Sequence, residues 1–201
     1  MTRAERNHAA DLAVRRMTRR LVALHASTTA ADLAAGLAWY DRARAAAESM
    51  AIGDDVDRAA AVIAHLSPRQ QWAANVAGAA RMLQAAADGD DCPPVGITDD
   101  RRKLDQRTKA WRVATGEASP FTDHGPKTEA FLANILGDAS RVCVDSWAAR
   151  AATGDPSHRG PGSRAEYARM ERAYVRAARA VGMAPRDLQA AIWIHIRGAA
   201  D

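Results

Sequence analysis

Apolar residues recur along the chain at three- and four-residue intervals, a spacing that predicts helices almost throughout. The first covers about Ala4 to Ala26, with Leu12, Met17, Leu21 and Leu24 on its apolar side. Ser27-Thr28-Thr29 supplies N-cap hydroxyls, and Asp32 falls in the first turn of a second helix reaching Met50. Ile52-Gly53-Asp54-Asp55 reads as a turn before a helix rich in small residues, Val56 to Leu66. Ser67-Pro68 predicts a cap and a start, so the fourth helix runs from Arg69 to Ala87. A loop from Asp88 to Thr98 precedes a helix from Asp99 to Ala114, which Gly116 ends. Another helix begins at Pro126 and stops at Gly137-Asp138. Arg141 to Val144 is a short extended piece, and Asp145 caps a brief helix from Ser146 to Ala152. A second loop, Gly154 to Gly162, leads to two last helices, Ser163 to Val181 and Pro185 to Arg197, which meet at Gly182. With no repeat and no linker, residues 1–201 are expected to form a single compact helical unit. The fold class is all-α, with roughly nine or ten helices.

Composition agrees. About a quarter of the residues are Ala and only 5% are aromatic, which suits closely packed helices and argues against a β-sandwich. Two cysteines, Cys92 and Cys143, are too few for a disulfide framework or a Cys-only metal site. The six histidines show no metal-ligand spacing, so no metal is expected. No apolar run approaches the roughly 18 residues of a membrane span, and the N-terminal residues lead into no apolar signal core. A cytoplasmic protein with no membrane association is the expectation.

Charge is unevenly spread. The formal balance is +4, and residues 1–20 account for all of it, with six arginines against Glu5 and Asp11. The remainder holds 22 basic and 22 acidic residues. That first segment suits a phosphate backbone, and equally a solvated helix face.

Chemistry concentrates in His124-Gly125-Pro126-Lys127-Thr128-Glu129-Ala130-Phe131. A glycine just before a helix lets a backbone or phosphate come close, and the free N–H groups of the first turn favour an anion. Lys127 sits where the helix dipole disfavours a cation, which favours the neutral, nucleophilic amine. Only three lysines stand among 28 basic residues, so this one is not background charge. Eighteen residues on, Val142-Cys143-Val144-Asp145-Ser146-Trp147 ends an apolar run in an acid at a helix start. Taken singly, Asp145 is also explained as an N-cap and Lys127 as a solvated side chain.

Together these blocks resemble the helix–hairpin–helix DNA glycosylase superfamily, the group of endonuclease III and the adenine and 8-oxoguanine glycosylases. Its members carry Gly-x-Gly-x-Lys-Thr-Ala followed by Val-Asp-Thr-His-Val-x-Arg at a similar separation. Upstream, Ala60-Ala61-Val62-Ile63-Ala64-His65-Leu66-Ser67-Pro68 is similar to the family's Leu-Ile-Ala-x-x-Leu-Ser-x-Gln helix end, so residues 55–155 carry the motifs. Four features depart from the pattern. Phe121-Thr122-Asp123-His124-Gly125 stands where the family has Leu-Pro-Gly-Val-Gly, Arg69 stands about where many members place a glutamine, Trp147 replaces the usual histidine after the aspartate, and the iron–sulfur cysteines are absent.

The resemblance implies a two-lobed fold with a helix–hairpin–helix element, double-stranded DNA as partner, no cofactor and no obligate protein partner. It implies a DNA glycosylase with abasic-site lyase activity that extrudes a damaged or modified base into a cleft between helical lobes. Lys127 would attack the sugar C1′, and Asp145 would hold or deprotonate it and stabilise the charge developing on the sugar. His124, Gly125 and Thr128 would lie against a phosphate. Arg69 stands about where the family fills the gap left by the base, with Gln70 and Gln71 as substitutes. Trp72 and Trp147 would stack on the extruded base, or serve as core. Two alternatives keep the scaffold: a non-catalytic helix–hairpin–helix DNA-binding module, and a glycosylase-like enzyme processing hypermodified thymine in phage-type DNA.

Overall fold

The computed structural model describes residues 2–96, 104–122 and 124–198. Among them the chain is all-α. Ten α-helices and one short 3-10 turn follow in order: α1 Arg3–Ser27, α2 Ala30–Leu37, α3 Trp39–Met50, the turn Ile52–Asp54, α4 Val56–Leu66, α5 Trp72–Asp88, α6 Leu104–Ala114, α7 Pro126–Ile135, α8 Ser146–Thr153, α9 Arg164–Val181 and α10 Pro185–Arg197. No single described helix is long and apolar enough to cross a membrane. The chain divides into two compact units, one formed by Met1–Tyr40 with Asp138–Ala200 and the other by Asp41–Gly137.

In the first unit α1 starts in a reciprocal cap: the Thr2 hydroxyl accepts from the Glu5 N–H, and the Glu5 carboxylate accepts from the Thr2 N–H. Val14, Met17 and Leu21 form its buried stripe. They pack on α9, whose inner positions Tyr167, Met170, Ala173, Tyr174, Ala177 and Ala178 recur every three or four residues. Alanine dominates that face, so the two backbones come close enough for the Thr18 hydroxyl to reach Ala173 O at 3.4 Å. Helix α2 packs on α10 still more closely. A Cβ on Gly36 would stand 2.5 Å from the Ala191 Cα, so only glycine fits there.

The second unit is built round α4, which is buried on every side from Ala59 to Leu66 and packs against α5, α6 and α7. A helix of that kind is the centre of a core, not a surface element.

The structure corrects the expected elements at two places. The single second helix expected to run to Met50 is broken at Ala38 into α2 and α3. The Ala38 N–H reaches back to Ala34 O and Gly36 O, ending α2 just after its glycine has docked on α10. No proline or polar cluster marks the break. The fourth helix begins at Trp72, not Arg69, because the Ser67 hydroxyl donates back to Ala64 O instead of capping forward. Arg69 then takes a left-handed φ of 57°, which no helix accommodates. The expected helix start at Asp99 and loop end at Thr98 lie outside the described residues. Arg141–Val144 carries no helix, the Asp145 N–H turns back to Cys143 O at 3.1 Å, and no strand forms among the described residues.

Candidate functional site

Helix α6 leaves its C-terminus tied down from two directions. Gly116, at φ 82°, turns the chain, and the Ala118 N–H closes back onto Arg112 O at 2.9 Å. Arg58 of α4, paired with Asp55 at 2.9 Å, extends a guanidinium to Ala114 O, placing a cation at the negative end of the helix. The connection then turns at Ser119, whose carbonyl accepts from the Thr122 hydroxyl at 3.0 Å, and Phe121 points outward. Asp123 lies outside the described residues.

His124 closes this hairpin. Its Nε2–H donates to Pro120 O at 2.6 Å, and its Nδ1 is buried with no hydrogen-bond partner. The imidazole stacks on that of His65 with ring centroids 4.5 Å apart and planes 23° from parallel. His65 is almost fully buried near the end of α4, and its Nδ1 meets Gln106 Oε1 at 3.3 Å. The stack therefore ties the hairpin to the end of α4, from which the turn carrying Arg69, Gln70 and Gln71 departs. Arg69 and Gln71 are exposed, Gln70 is half-buried, and half-buried Trp72 opens α5.

Gly125 is the N-cap of α7, in extended backbone at φ −78°. A Cβ there would meet nothing within 4 Å, so no neighbour within the protein demands the glycine. Pro126 occupies the first turn without loss, since its missing N–H has no intrahelical partner to find. Lys127 and Thr128 follow, both half-buried. Gly125 has no side chain with which to cap this helix start.

Asp145 belongs to the first unit and is the N-cap of α8, its Oδ1 accepting from the Ala148 N–H at 2.7 Å. The segment before it is fixed by Tyr167 of α9. That hydroxyl donates to Val142 O at 2.7 Å and accepts from the Val144 N–H at 3.2 Å. Two turns further along α9, the Tyr174 hydroxyl donates to Ala148 O at 3.1 Å. Burial pushes both phenols up from their ordinary value of 10.0; beside Tyr174 the Asp145 charge adds to the effect, and beside Tyr167 the Cys143 thiol does.

Half-buried Trp147 lies under the Arg150 guanidinium, 4.8 Å from its ring centroid. Arg150 also donates to His158 O at 3.0 Å, and His158 sits 3.4 Å from Glu166. The loop between α8 and α9 is thereby held along the start of α8, with Gly160 passing close to Ser146.

The structure gathers His124, Gly125, Lys127 and Thr128 on one hairpin of the second unit, joined through His65 to the turn bearing Arg69, Gln70, Gln71 and Trp72. Asp145 and Trp147 stand together in the first unit. Sequence reading passed over the side chains that hold these groups in place: His65, Tyr167, Tyr174 and Glu166. The two tyrosines, seven residues apart on a helix rich in alanine and arginine, were the available signal. His65 gave none, because its partner lies 59 residues away.

Among the described residues no three His, Cys, Asp or Glu side chains gather as a metal site would require. No curated protein and no solved structure matches the chain. The model of the family of unknown function DUF7178 matches residues 3–200, and the chain belongs to that family.

Proposed function

We propose that this protein is a DNA glycosylase with abasic-site lyase activity. The observation that carries the reading is the start of α7, where an open glycine N-cap and a proline place Lys127 in the first turn of the helix. A phosphate is the natural occupant of such a helix start, and an amine beside it is positioned against a sugar.

In this reading the Lys127 Nζ, neutral when it reacts, attacks the sugar C1′. The C1′–N bond breaks, and the base leaves with the electron pair and takes up a proton. The resemblance assigns to Asp145 the acceptance of the proton released from Nζ and the stabilisation of the positive charge that develops on the sugar. The nitrogen lone pair then forms the C1′=N bond as the C1′–O4′ bond breaks, and the ring oxygen takes up the proton given up by Nζ. Removal of a C2′ proton then expels the 3′ phosphate and cuts the strand. Trp147, held flat by Arg150, offers a face for an extruded base.

A second reading, a duplex-binding module without chemistry, is favoured by one feature: the capping bond to Ala148 gives Asp145 a structural reason to be there. Base release separates the two. Duplexes carrying uracil, 8-oxoguanine, 5-hydroxymethyluracil or a larger modified thymine are incubated with wild type, Lys127→Ala and Asp145→Asn. The glycosylase reading expects release from at least one duplex by wild type and a loss of about 100-fold or more in each variant. Full release by Lys127→Ala would sink the mechanism, and duplex binding with no release from any substrate would establish the second reading.

A further inference from the structure

The division into units redistributes the charge. Met1–Tyr40 and Asp138–Ala200 together hold sixteen arginines, no lysine and nine acidic residues, a formal balance of +7. Asp41–Gly137, which carries the hairpin, has twelve basic and fourteen acidic residues, a balance of −2. The positive excess belongs wholly to the first unit, away from the hairpin in sequence.

Within that unit the excess is organised. On α9, Arg169, Arg172, Arg176 and Arg179 follow each other at steps of three, four and three residues. At 100° per residue they share an arc of about 80° and rise about 15 Å along the axis. The arc lies opposite the buried face of Tyr167, Met170, Ala173, Tyr174 and Ala177. Arg172, Arg176 and Arg179 are exposed. Among the described residues Arg172 and Arg179 have no acidic partner, and Arg176 reaches Asp11 of α1 only at 4.0 Å. These three line an open groove of about 380 Å³ with Ser140, Val175 and Glu171, whose own charge is met by Arg141 at 3.6 Å. On α1, the flank that Asp11 occupies continues to exposed Arg15 and Arg19.

The geometry points to this α9 face as a binding surface for the phosphate backbone of duplex DNA. An arc 15 Å long spans about three phosphates of one strand. Arginine, used here to the exclusion of lysine, presents a planar fork that grips phosphate oxygens in pairs. Lipid and protein partners fit less well. The exposed large apolar side chains among the described residues are Leu12, Leu37, Ile52, Val95 and Phe121, none of them on α9. A membrane-seated helix needs apolar side chains to insert, and a protein interface needs an apolar centre. The inference rests on the proposed function for its partner, duplex DNA, and not for its chemistry.

The test is fluorescence anisotropy with a labelled 20-base-pair duplex across 50–200 mM KCl. Wild type is compared with the triple variant Arg172→Gln/Arg176→Gln/Arg179→Gln and with the matching triple Lys variant. These side chains are exposed, so circular dichroism and melting should be unchanged. If each arginine neutralises one phosphate, the Gln variant's slope of log K against log salt is less negative by about 2.7. The wild-type advantage then shrinks by roughly 40-fold between 50 and 200 mM salt. The Lys variant recovers most of the slope but less of the affinity. Equal slope and affinity in wild type and the Gln variant would overturn the inference, as would wild-type preference for phosphatidylserine vesicles over duplex. Base release at saturating protein separates this from the proposed function. Release together with arginine-independent binding refutes the surface alone. Arginine-dependent binding without release on any duplex supports the surface and refutes the glycosylase.

Discussion

Removing one oxygen atom, in Tyr167→Phe, tests how the candidate acid is held. The hydroxyl is the hydrogen-bond partner of both the Val142 carbonyl and the Val144 N–H. Those residues are 0% and 1% exposed, so water does not replace what is lost. Each buried backbone group left without its partner costs about 1–3 kcal/mol. A carbonyl retains a second lone pair for other contacts, so the sum is placed at about 2–4 kcal/mol. The ring is kept, and no cavity term enters. For a chain of this length that amounts to a fall in Tm of about 6–12 °C. Tyr174→Phe is the control, since it releases only the Ala148 carbonyl, which an α-helix already engages; its cost is about 1 kcal/mol.

Urea unfolding followed by circular dichroism reads the difference as a shift in midpoint at constant slope. The same phenol has a pH signature. Its ionisation is pushed above 10.0 by burial, so the folded state keeps a proton that the unfolded chain gives up. The contribution is complete below pH 10.0 and is lost as pH rises beyond it, and Tyr167→Phe should weaken that alkaline loss. Equal costs for the two variants, or a Tyr167→Phe cost below about 0.5 kcal/mol, would refute the reasoning.

Three further outcomes follow from local geometry. Gly36→Ala should destabilise by about 2 kcal/mol on thermal unfolding, although helix propensity alone favours alanine by about 1 kcal/mol, because its Cβ would collide with the Ala191 backbone. Asp145→Asn keeps an oxygen to accept from the Ala148 N–H and should unfold like wild type while losing activity, whereas Asp145→Ala should cost about 1 kcal/mol as well. The Asp138 carboxylate is held below its ordinary 3.8 by the Ser140 hydroxyl and N–H, so its contribution is present above that pH and lost as pH falls below it. Acid unfolding of Asp138→Asn should accordingly begin from a lower stability and change less steeply with pH.

Periodicity and capping made most of the helices legible. The buried steps of α4, α9 and α10 are spaced as an amphipathic or core helix requires, and Asp145 and Ser163 cap where short polar residues precede apolar runs. What escaped was decided by contacts distant in sequence. Gly36 and Ala38 are ordinary helix residues until α10 arrives, and Ser67 can cap either way until the turn at Arg69 fixes its direction. The site shows the same limit. Lys127 and Asp145 are proposed from residue type and spacing, while His65 and Tyr167 act through partners 59 and 23–25 residues away. Charge was partly hidden for a different reason. The basic unit is assembled from two separated stretches, so a scan along the chain registers the arginines of α1 but dilutes those of α9 among acids of the intervening segment.

The central claim is that Lys127 forms a Schiff base with a sugar, and borohydride trapping tests it most directly. Wild type is incubated with duplexes carrying an abasic site, 8-oxoguanine, uracil or 5-hydroxymethyluracil, reduced, and run on a denaturing gel. The account predicts a covalent protein–DNA band that disappears in Lys127→Ala, with the strongest band marking the preferred base. A band of undiminished intensity in Lys127→Ala, or none on any duplex that wild type binds, would contradict it.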